Sequence, residues 1–387
     1  MSFIMNIRSV AKYESKILVR SWFFRIFTLL AVVFLGFFNF AMMLMEDNFG
    51  LWFAKSVSSN IPYLNLLLLN TGQAVVAVFL SSEFLKRDKK LDTSEVFYVR
   101  PLSNAEYVVG KIWGNLRVFL FLNLLVLAIV LAFNFMASGV TVDLPAYLVY
   151  FFLISIPTLI FIIGLSIFLM LLLNNQALTF ILLLGYIGLT LFYIQDKFYY
   201  LFDYMVYNLP LFKSTIVGFS NLELILNHRA IYFFAGLGFI FFTIFLFKRL
   251  PNARRSHYPW LFLSFCMFLL MVTAGFRHVR SILWEGEMRA LYTSINNKYV
   301  YEPKMAIDYY DISVEQKSET IRSVVGMEGT ALAASEVFIF CLNPGLRVEE
   351  VKDGEKSLNF KREEQILAVD FGRKIEKGDT ISLSICY

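Results

Sequence analysis

The sequence predicts a polytopic α-helical membrane protein that ends in an all-β module, and three observations carry that expectation. Hydrophobic residues fill 58% and charged residues only 17% of its 387 positions, with a mean hydropathy of +0.63. Soluble domains average about 45–50% apolar and about 25% charged residues, so a bilayer is the expected solvent. Seven apolar stretches meet the length test for a membrane span, which is about 20 residues for a hydrocarbon core of about 30 Å. From about Lys304 the apolar blocks give way to charged, alternating segments.

The chain opens on "NIRSVAKYESKILVRS", which has Ile7, Val10, Tyr13 (or Glu14) and Ile17 at helical spacing and Lys12, Lys16 and Arg20 off that face. Such a basic amphipathic stretch predicts a helix over 1–21 lying in the cytoplasmic interface. No small-residue cleavage site follows a short apolar core, so a cleaved signal peptide is not expected. The seven stretches are 22–44, 63–85, 116–135, 144–173, 177–194, 230–247 and 259–276. The fourth is long enough to tilt or to break near Pro157. None carries a charge near its centre; Arg25, Glu83 and Arg117 lie close to ends.

Lysine and arginine set the orientation. A cytoplasmic N-terminus collects Arg8, Lys12, Lys16, Arg20 and Arg25 inside, then Lys86, Arg87, Lys89, Lys90, Arg100, Lys111 and Arg117, then Lys248, Arg249, Arg254 and Arg255. The opposite side holds Lys55, Lys197, Lys213 and Arg229, with Arg277 and Arg280 mildly against the scheme. Seven crossings then leave 277–387 outside the cytoplasm, in the periplasmic or extracytoplasmic space, and the chain in the inner (plasma) membrane. The uneven placement of a net charge of only +5 points to membrane topology rather than to nucleic acid.

That outer region reads as strands. Alternation shows in Leu346–Val348–(Glu350), Leu358–Phe360 and Ile381–Leu383–Ile385, and Asp353-Gly354 is a hairpin signal. Asn343-Pro344-Gly345 and Lys377-Gly378-Asp379 predict further turns. The last strand is expected to lie unpaired at an edge, a liability in any sheet. Cys266, Cys341 and Cys386 show no metal-ligand spacing. Buried unreactive thiols are the expectation, with a Cys341–Cys386 disulfide left open for an extracytoplasmic module.

Several chemistries have no motif. His228, His257 and His278 form no His-x-x-x-His pair, and Gly110–Gly114 lacks the spacing and the Ser/Thr of a phosphate-binding loop. The spans lack the mid-depth charges that ion-coupled transporters and intramembrane enzymes use. Asn70, Thr71 and Gln73 are the clearest polar cluster within a span, and they suit helix–helix hydrogen bonding more than a substrate path.

What remains is the basic, proline-punctuated loop 86–111. Thr93 and Ser94 can cap a short helix begun by Glu95, Pro101 ends it, and Ser103 caps the next with Glu106 three residues on. Two short helical pieces around a fixed turn predict a docking surface for a cytoplasmic protein.

That loop resembles the cytoplasmic loop of ABC-2 type exporter permeases, in which a Glu-containing segment, an Arg-Pro-x-Ser step and a Gly-Lys entering the third span recur in order. Here these are Glu95, Arg100-Pro101-Leu102-Ser103 and Gly110-Lys111. The resemblance covers roughly residues 5–247 and implies a six-span permease domain over 22–247. It implies a homodimer or paired permease driven by a separate cytoplasmic ATPase subunit. ATP would bind that partner, and this chain would have neither a cofactor nor an enzymatic site of its own. The loop would hold the coupling helix, with Glu95 and Arg100 as charged contacts. A basic loop and seventh span over 248–276 extend the family pattern. The β region resembles the beginning of the N-terminal saddle-like domain of M1 zinc aminopeptidases, through "YDISVE" (310–315), "FIFCLNPGLRVEEV" (338–351), "LNFKREEQIL" (358–367) and "GDTISLSICY" (378–387). Without that family's zinc-binding helix no peptidase activity is implied, and the chain reads as the front of a longer fusion. The competing expectation is a membrane anchor or interaction protein that displays this β module.

Overall fold

The computed structural model describes residues 2–44, 57–90, 102–136, 141–194, 196–209, 211, 213–214, 218–219, 221–247, 258–317 and 320–387. They form two compact units, Met1–Ser281 and Ile282–Tyr387. The first is helical and the second is mainly antiparallel sheet. Among the described residues, seven helices are long and apolar enough to cross a membrane.

Helix α1 (Ser2–Arg20) is followed after one residue by α2 (Trp22–Leu44). Next come α3 (Asn60–Lys90) and α4 (Asn104–Met136). A bent pair follows: α5 (Leu144–Tyr150), a π-helical turn (Phe151–Ser155) and α6 (Ile156–Leu173). Pro157 has no N–H and crowds the preceding turn, and the π turn ends just before it, which places the expected break. Asn174 ends α6 at φ 50° with its N–H on Met170 O, a left-handed C-terminal position that asparagine tolerates. Then come α7 (Gln176–Leu189), α8 (Leu222–Leu246) and α9 (Tyr258–Lys298).

Helix ends differ from the sequence expectation in one direction: the helices outrun their apolar cores. The residues 86–90 belong to α3 and not to a loop, and α4 begins at Asn104 instead of 116. Helix α8 begins at Leu222 instead of 230, and α9 continues to Lys298 where a β module was expected from 277. Hydropathy marks only the greasy part of a helix, and no proline interrupts 277–298. Arg229, counted as a loop charge by hydropathy, is therefore inside α8 and 2% exposed.

The closest approach in the first unit is between α6 and α8. A Cβ on Gly164 would lie 2.6 Å from Gly236 O, and one on Gly236 would lie 2.6 Å from the Ile160 carbonyl. Only hydrogen fits at either position.

The second unit starts with the end of α9 and continues as β1 (Met305–Lys317), β2 (Thr320–Ala331), β3 (Ser335–Cys341) and β4 (Glu350–Asp353). It closes with β5 (Lys356–Ser357), β6 (Asn359–Glu363), β7 (Ile366–Ile375) and β8 (Thr380–Cys386). The sheets run β1-β2-β8-β4-β5 and β3-β7-β6. One core, including Val325, Phe338, Val369, Phe371, Leu383 and Ile385, draws on both. The last strand is not an edge: β8 pairs with β2 on one side and β4 on the other. Ile381, Leu383 and Ile385 alternate inward as expected. Leu346 and Val348 lie in an irregular segment before β4 and not in a strand; Leu346 is exposed, and Val348 packs part-buried against the core. The hairpin β4–β5 turns over Gly354-Glu355, with Gly354 at φ 57°. All three cysteines are free, and Cys341 and Cys386 sit in different sheets.

The end of α9 is held to the three-stranded sheet. Ile295 packs with Ile339 and Ile366, Gln365 Nε2 donates to Tyr292 O at 2.6 Å, and Glu363 takes both the Tyr299 hydroxyl and Lys298 Nζ. Those two donors, Tyr299 first, hold the Glu363 carboxyl below its ordinary range.

Two outcomes follow. Gly236→Leu drives a side chain into the Ile160 backbone, and overpacking typically costs about 1–3 kcal/mol or more; thermal unfolding in detergent should shift down, whereas the open Gly185 position should accept Leu freely. For Glu363, a depressed folded pKa means its contribution is present above the unfolded value of about 4.3 and lost as pH falls through the folded one. Protection against hydrogen exchange at 292–299, corrected for the intrinsic pH dependence, should therefore fall on acidification in the parent, and Glu363→Gln should remove that step.

Candidate functional site

The loop 86–111 divides. Thr93, Ser94, Glu95, Arg100 and Pro101 lie outside the described residues. Ser103 and Glu106 form the reciprocal cap their spacing predicts: Ser103 N–H donates to Glu106 Oε2 at 2.6 Å, and Glu106 N–H donates to Ser103 Oγ at 3.1 Å. This pair does not cap a short helix. It caps α4, which runs unbroken for 33 residues.

Gly110 and Lys111 are not loop residues but part of a seam between α4 and α1. A Cβ on Gly110 would fall 2.7 Å from Val10 Cβ, and one on Gly114 would fall 2.7 Å from Glu14 Cβ. The two glycines, four apart, let the helices touch along one face. Glu14 and Lys111 pair within the seam at 3.5 Å, with side chains 4% and 3% exposed. Arg117 donates to Ser15 Oγ and, at 2.7 Å, to Ala11 O; Ser15 Oγ donates to Gly114 O at 2.7 Å. Asn6 Nδ2 donates to Glu106 Oε1 at 2.9 Å. The buried face of α1 therefore contains Ala11, Glu14, Ser15 and Leu18. Of the two residues at the third position of the expected face it is Glu14, not Tyr13, that turns inward. Asn104 Nδ2 donates to Phe247 O at 2.7 Å, and Tyr107 stacks on Phe247, which ties the same end of α4 to α8.

Asn70 and Gln73 belong to a second cluster, and Thr71 does not: its hydroxyl donates back to Leu67 O at 2.9 Å. Gln73 Nε2 donates to Asn70 Oδ1 at 2.6 Å, and Asn123 Nδ2 returns to Gln73 Oε1 at 2.9 Å. Ser155 Oγ donates to Asn123 Oδ1 at 2.8 Å. Asn70, Gln73, Asn123 and Ser155 are fully buried. A closed amide ring of this kind joins α3, α4 and the π turn, and it fits helix packing rather than a path.

The third cluster was not legible in the sequence as a site. Arg229 Nε donates to Leu153 O at 2.6 Å, Nη2 to Thr158 Oγ1 at 2.8 Å, and Nη1 to Tyr204 O at 2.9 Å. Leu153 O is the carbonyl that an N–H at position 157 would take in an α-helix, and Pro157 has none. The arginine supplies the missing donor. Its other arm reaches the segment 196–214, in which several described carbonyls are taken by side chains from outside the segment. His278 Nε2 meets Tyr199 O at 2.9 Å, and His228 Nε2 meets Tyr200 O at 3.0 Å. The Tyr232 hydroxyl donates to Leu201 O. Tyr63 donates to Val206 O at 3.2 Å, Tyr150 to Leu211 O at 2.7 Å, and Ser59 to Lys213 O at 2.8 Å. Phe198, Tyr199, Tyr200 and Val206 have φ between 52° and 64°, a left-handed region costing about 1–2 kcal/mol per residue. Asp203, 3% exposed, accepts from Tyr207 and Asn208 N–H at 2.9 and 2.8 Å. Burial pushes its carboxyl above the usual range against the pull of those amides.

Among the described residues, the fold consists of seven long apolar helices followed by an antiparallel β region. No family model matches the chain, and no curated protein matches it.

Arg229→Met should lower the unfolding temperature in detergent, because Leu153 O loses the guanidinium donor and a buried acceptor left unsatisfied costs about 1–3 kcal/mol, while Tyr204 O keeps the Thr158 hydroxyl. Arg229→Lys should recover only part, since an ammonium cannot fork to Leu153 and Tyr204 together. Parent-like melting of Arg229→Met would refute the assignment.

Proposed function

We propose that this chain is the membrane-spanning permease subunit of an ABC-2 type, ATP-driven exporter, energised by a separate cytoplasmic ATPase subunit. The seven long helices cross the inner membrane, the N-terminus is cytoplasmic and the β module lies outside the cytoplasm. The chain works paired with a second permease, takes no part in hydrolysis and holds no cofactor; ATP stays on its partner.

The observation that carries this reading is that the described end of the loop, from Ser103, runs directly into α4, which is fixed to two further helices. From the Ser103–Glu106 cap, α4 is one helix of 33 residues, about 50 Å at about 1.5 Å per residue. Its first turns are fixed to α1 by Gly110, Gly114 and the Glu14–Lys111 pair and to α8 through Phe247. A push on the loop moves three helices as one body, where a floppy connection would absorb it. The ordered Glu95, Arg100-Pro101-Leu102-Ser103 and Gly110-Lys111 pattern supports the family. The contact surface is the 93–103 part of the loop, since Glu106 and Lys111 are buried.

Co-purification with ATPase subunits carrying nucleotide-binding motifs tests the proposal. Glu95→Ala with Arg100→Ala should weaken association about tenfold or more, because close interfacial charge pairs are worth about 1.5–7 kcal/mol. Membrane insertion should be unchanged. A double variant that binds and stimulates the ATPase like the parent would favour the anchor reading. Cysteine labelling from outside should reach Asp353→Cys and miss Lys89→Cys; the reverse would overturn the orientation.

A further inference from the structure

The side of α1 that α4 leaves uncovered carries Arg8, Lys12, Lys16 and Arg20, all exposed. They are spaced four residues apart, so each step rises about 6 Å and turns only about 40° around the helix. The result is a row of four cations about 18 Å long that sweeps about 120° around the helix. Among the described residues none of the four enters an ion pair or donates a side-chain hydrogen bond. The single acid of α1, Glu14, is buried on the other face against Lys111. Within and beside the row stand exposed apolar side chains: Ile4, Met5, Tyr13 and Val19.

The row also has a fixed neighbour. Only Ser21 separates α1 from α2, and its N–H still bonds to Ile17 O at 2.9 Å. Helix α2 begins with Trp22 and Phe23, 74% and 44% exposed, and continues as an apolar helix with most of its surface uncovered. The four cations thus end one residue from where an outward-facing apolar surface starts. The apolar face expected to seat α1 on the membrane is instead occupied by α4, so contact with a bilayer must come through the opposite, cationic face.

We infer that this row binds the phosphates of an anionic bilayer surface, with Ile4, Met5 and Val19 entering the headgroup boundary between the charges. The inference rests on the membrane reading above and goes beyond it by naming the lipid chemistry and the residues that recognise it. Long basic side chains suit that position because their stems lie on apolar surface while the charge reaches water and phosphate. An acidic protein face would offer complementary charge too, but nothing in it would cover the interleaved apolar residues that a lipid boundary takes up. A row held on α4 by the seam would also make the loop-proximal end of the permease sensitive to lipid charge.

The test uses the full chain in nanodiscs of phosphatidylcholine alone or mixed with phosphatidylglycerol, and the lipids retained after detergent extraction are quantified by mass spectrometry. A Lys or Arg near an anionic surface is worth about fivefold (about 1 kcal/mol). Lys12→Gln with Lys16→Gln should therefore cut the phosphatidylglycerol preference by an order of magnitude, and added salt should do the same to the parent. Lys361→Gln with Lys377→Gln, two exposed lysines of the β region, should leave the preference intact. Neither lysine of α1 makes a side-chain hydrogen bond or ion pair among the described residues, so the double variant should melt with the parent. Equal retention in parent and Lys12→Gln/Lys16→Gln overturns the inference. So does a variant that keeps its lipid preference while losing an ATPase partner, which would assign the row to protein docking. A chain that alkaline carbonate strips from vesicles would sink the membrane reading itself, and this inference with it.

Discussion

A buried carbonyl needs a donor, and in the helical unit one proline removes a donor at the most crowded point. Pro157 leaves Leu153 O without its backbone partner, and the chain answers with Arg229, a side chain that reaches across from α8. Because guanidinium forks, one arginine also takes Thr158 Oγ1 and Tyr204 O. Through that branch the repair of a helix becomes the anchor of the segment 196–214. The left-handed aromatic residues there are costly in isolation. They persist because His278 and Tyr232 hold the Tyr199 and Leu201 carbonyls, and His228 adds to the bond that Asp203 N–H already makes to Tyr200 O. Remove the donors and nothing in the local sequence favours that backbone.

The opposite constraint rules the seams. Gly164 against Gly236 and Gly110–Gly114 against α1 bring backbones close enough that no side chain fits between. Where helices touch this closely, dispersion contacts are many and lateral slip is blocked. Polar groups then act as pins rather than as a driving force. The Glu14–Lys111 pair fixes the register of α1 on α4, and the Asn70–Gln73–Asn123–Ser155 ring fixes α3 on α4. A buried ion pair adds little net stability after desolvation, and its clearer contribution is to choose one alignment.

How much of this was legible in the sequence follows from which signals are local. Span 22–44 was placed to the residue because both its ends coincide with a change of polarity. The Ser103–Glu106 cap was readable because it depends on three residues of chain. The helix extensions before 116 and 230 and after 276 were not readable, because Glu106, Lys111, Arg117 and Arg229 look like loop charges until their partners are known. Those partners lie between 25 and 106 residues away in sequence. The central place of β8 was hidden for the same reason, since strand order is a long-range property. Asn70 and Gln73 were singled out correctly as polar residues within a helix, but the ring needed Asn123 and Ser155 from elsewhere.

One consequence joins the seam to the anchored segment. Helix α8 meets α4 at Phe247 through Asn104 and Tyr107, and at its other end it supplies His228, Arg229 and Tyr232 to the segment 196–214. It is also the helix packed backbone to backbone on α6. Displacement of the capped start of α4 therefore has a physical route to the far end of α8. The route consists of one stacked ring pair and one glycine-lined helix contact, with no soft loop between them. An arrangement that only tethered the β region would have no need of such a connection. A subunit that converts motion at the 93–103 loop into a change among the Tyr200, Leu201 and Tyr204 carbonyls would need it, and their donors on α8, His228, Tyr232 and Arg229, are placed to release or hold those carbonyls together.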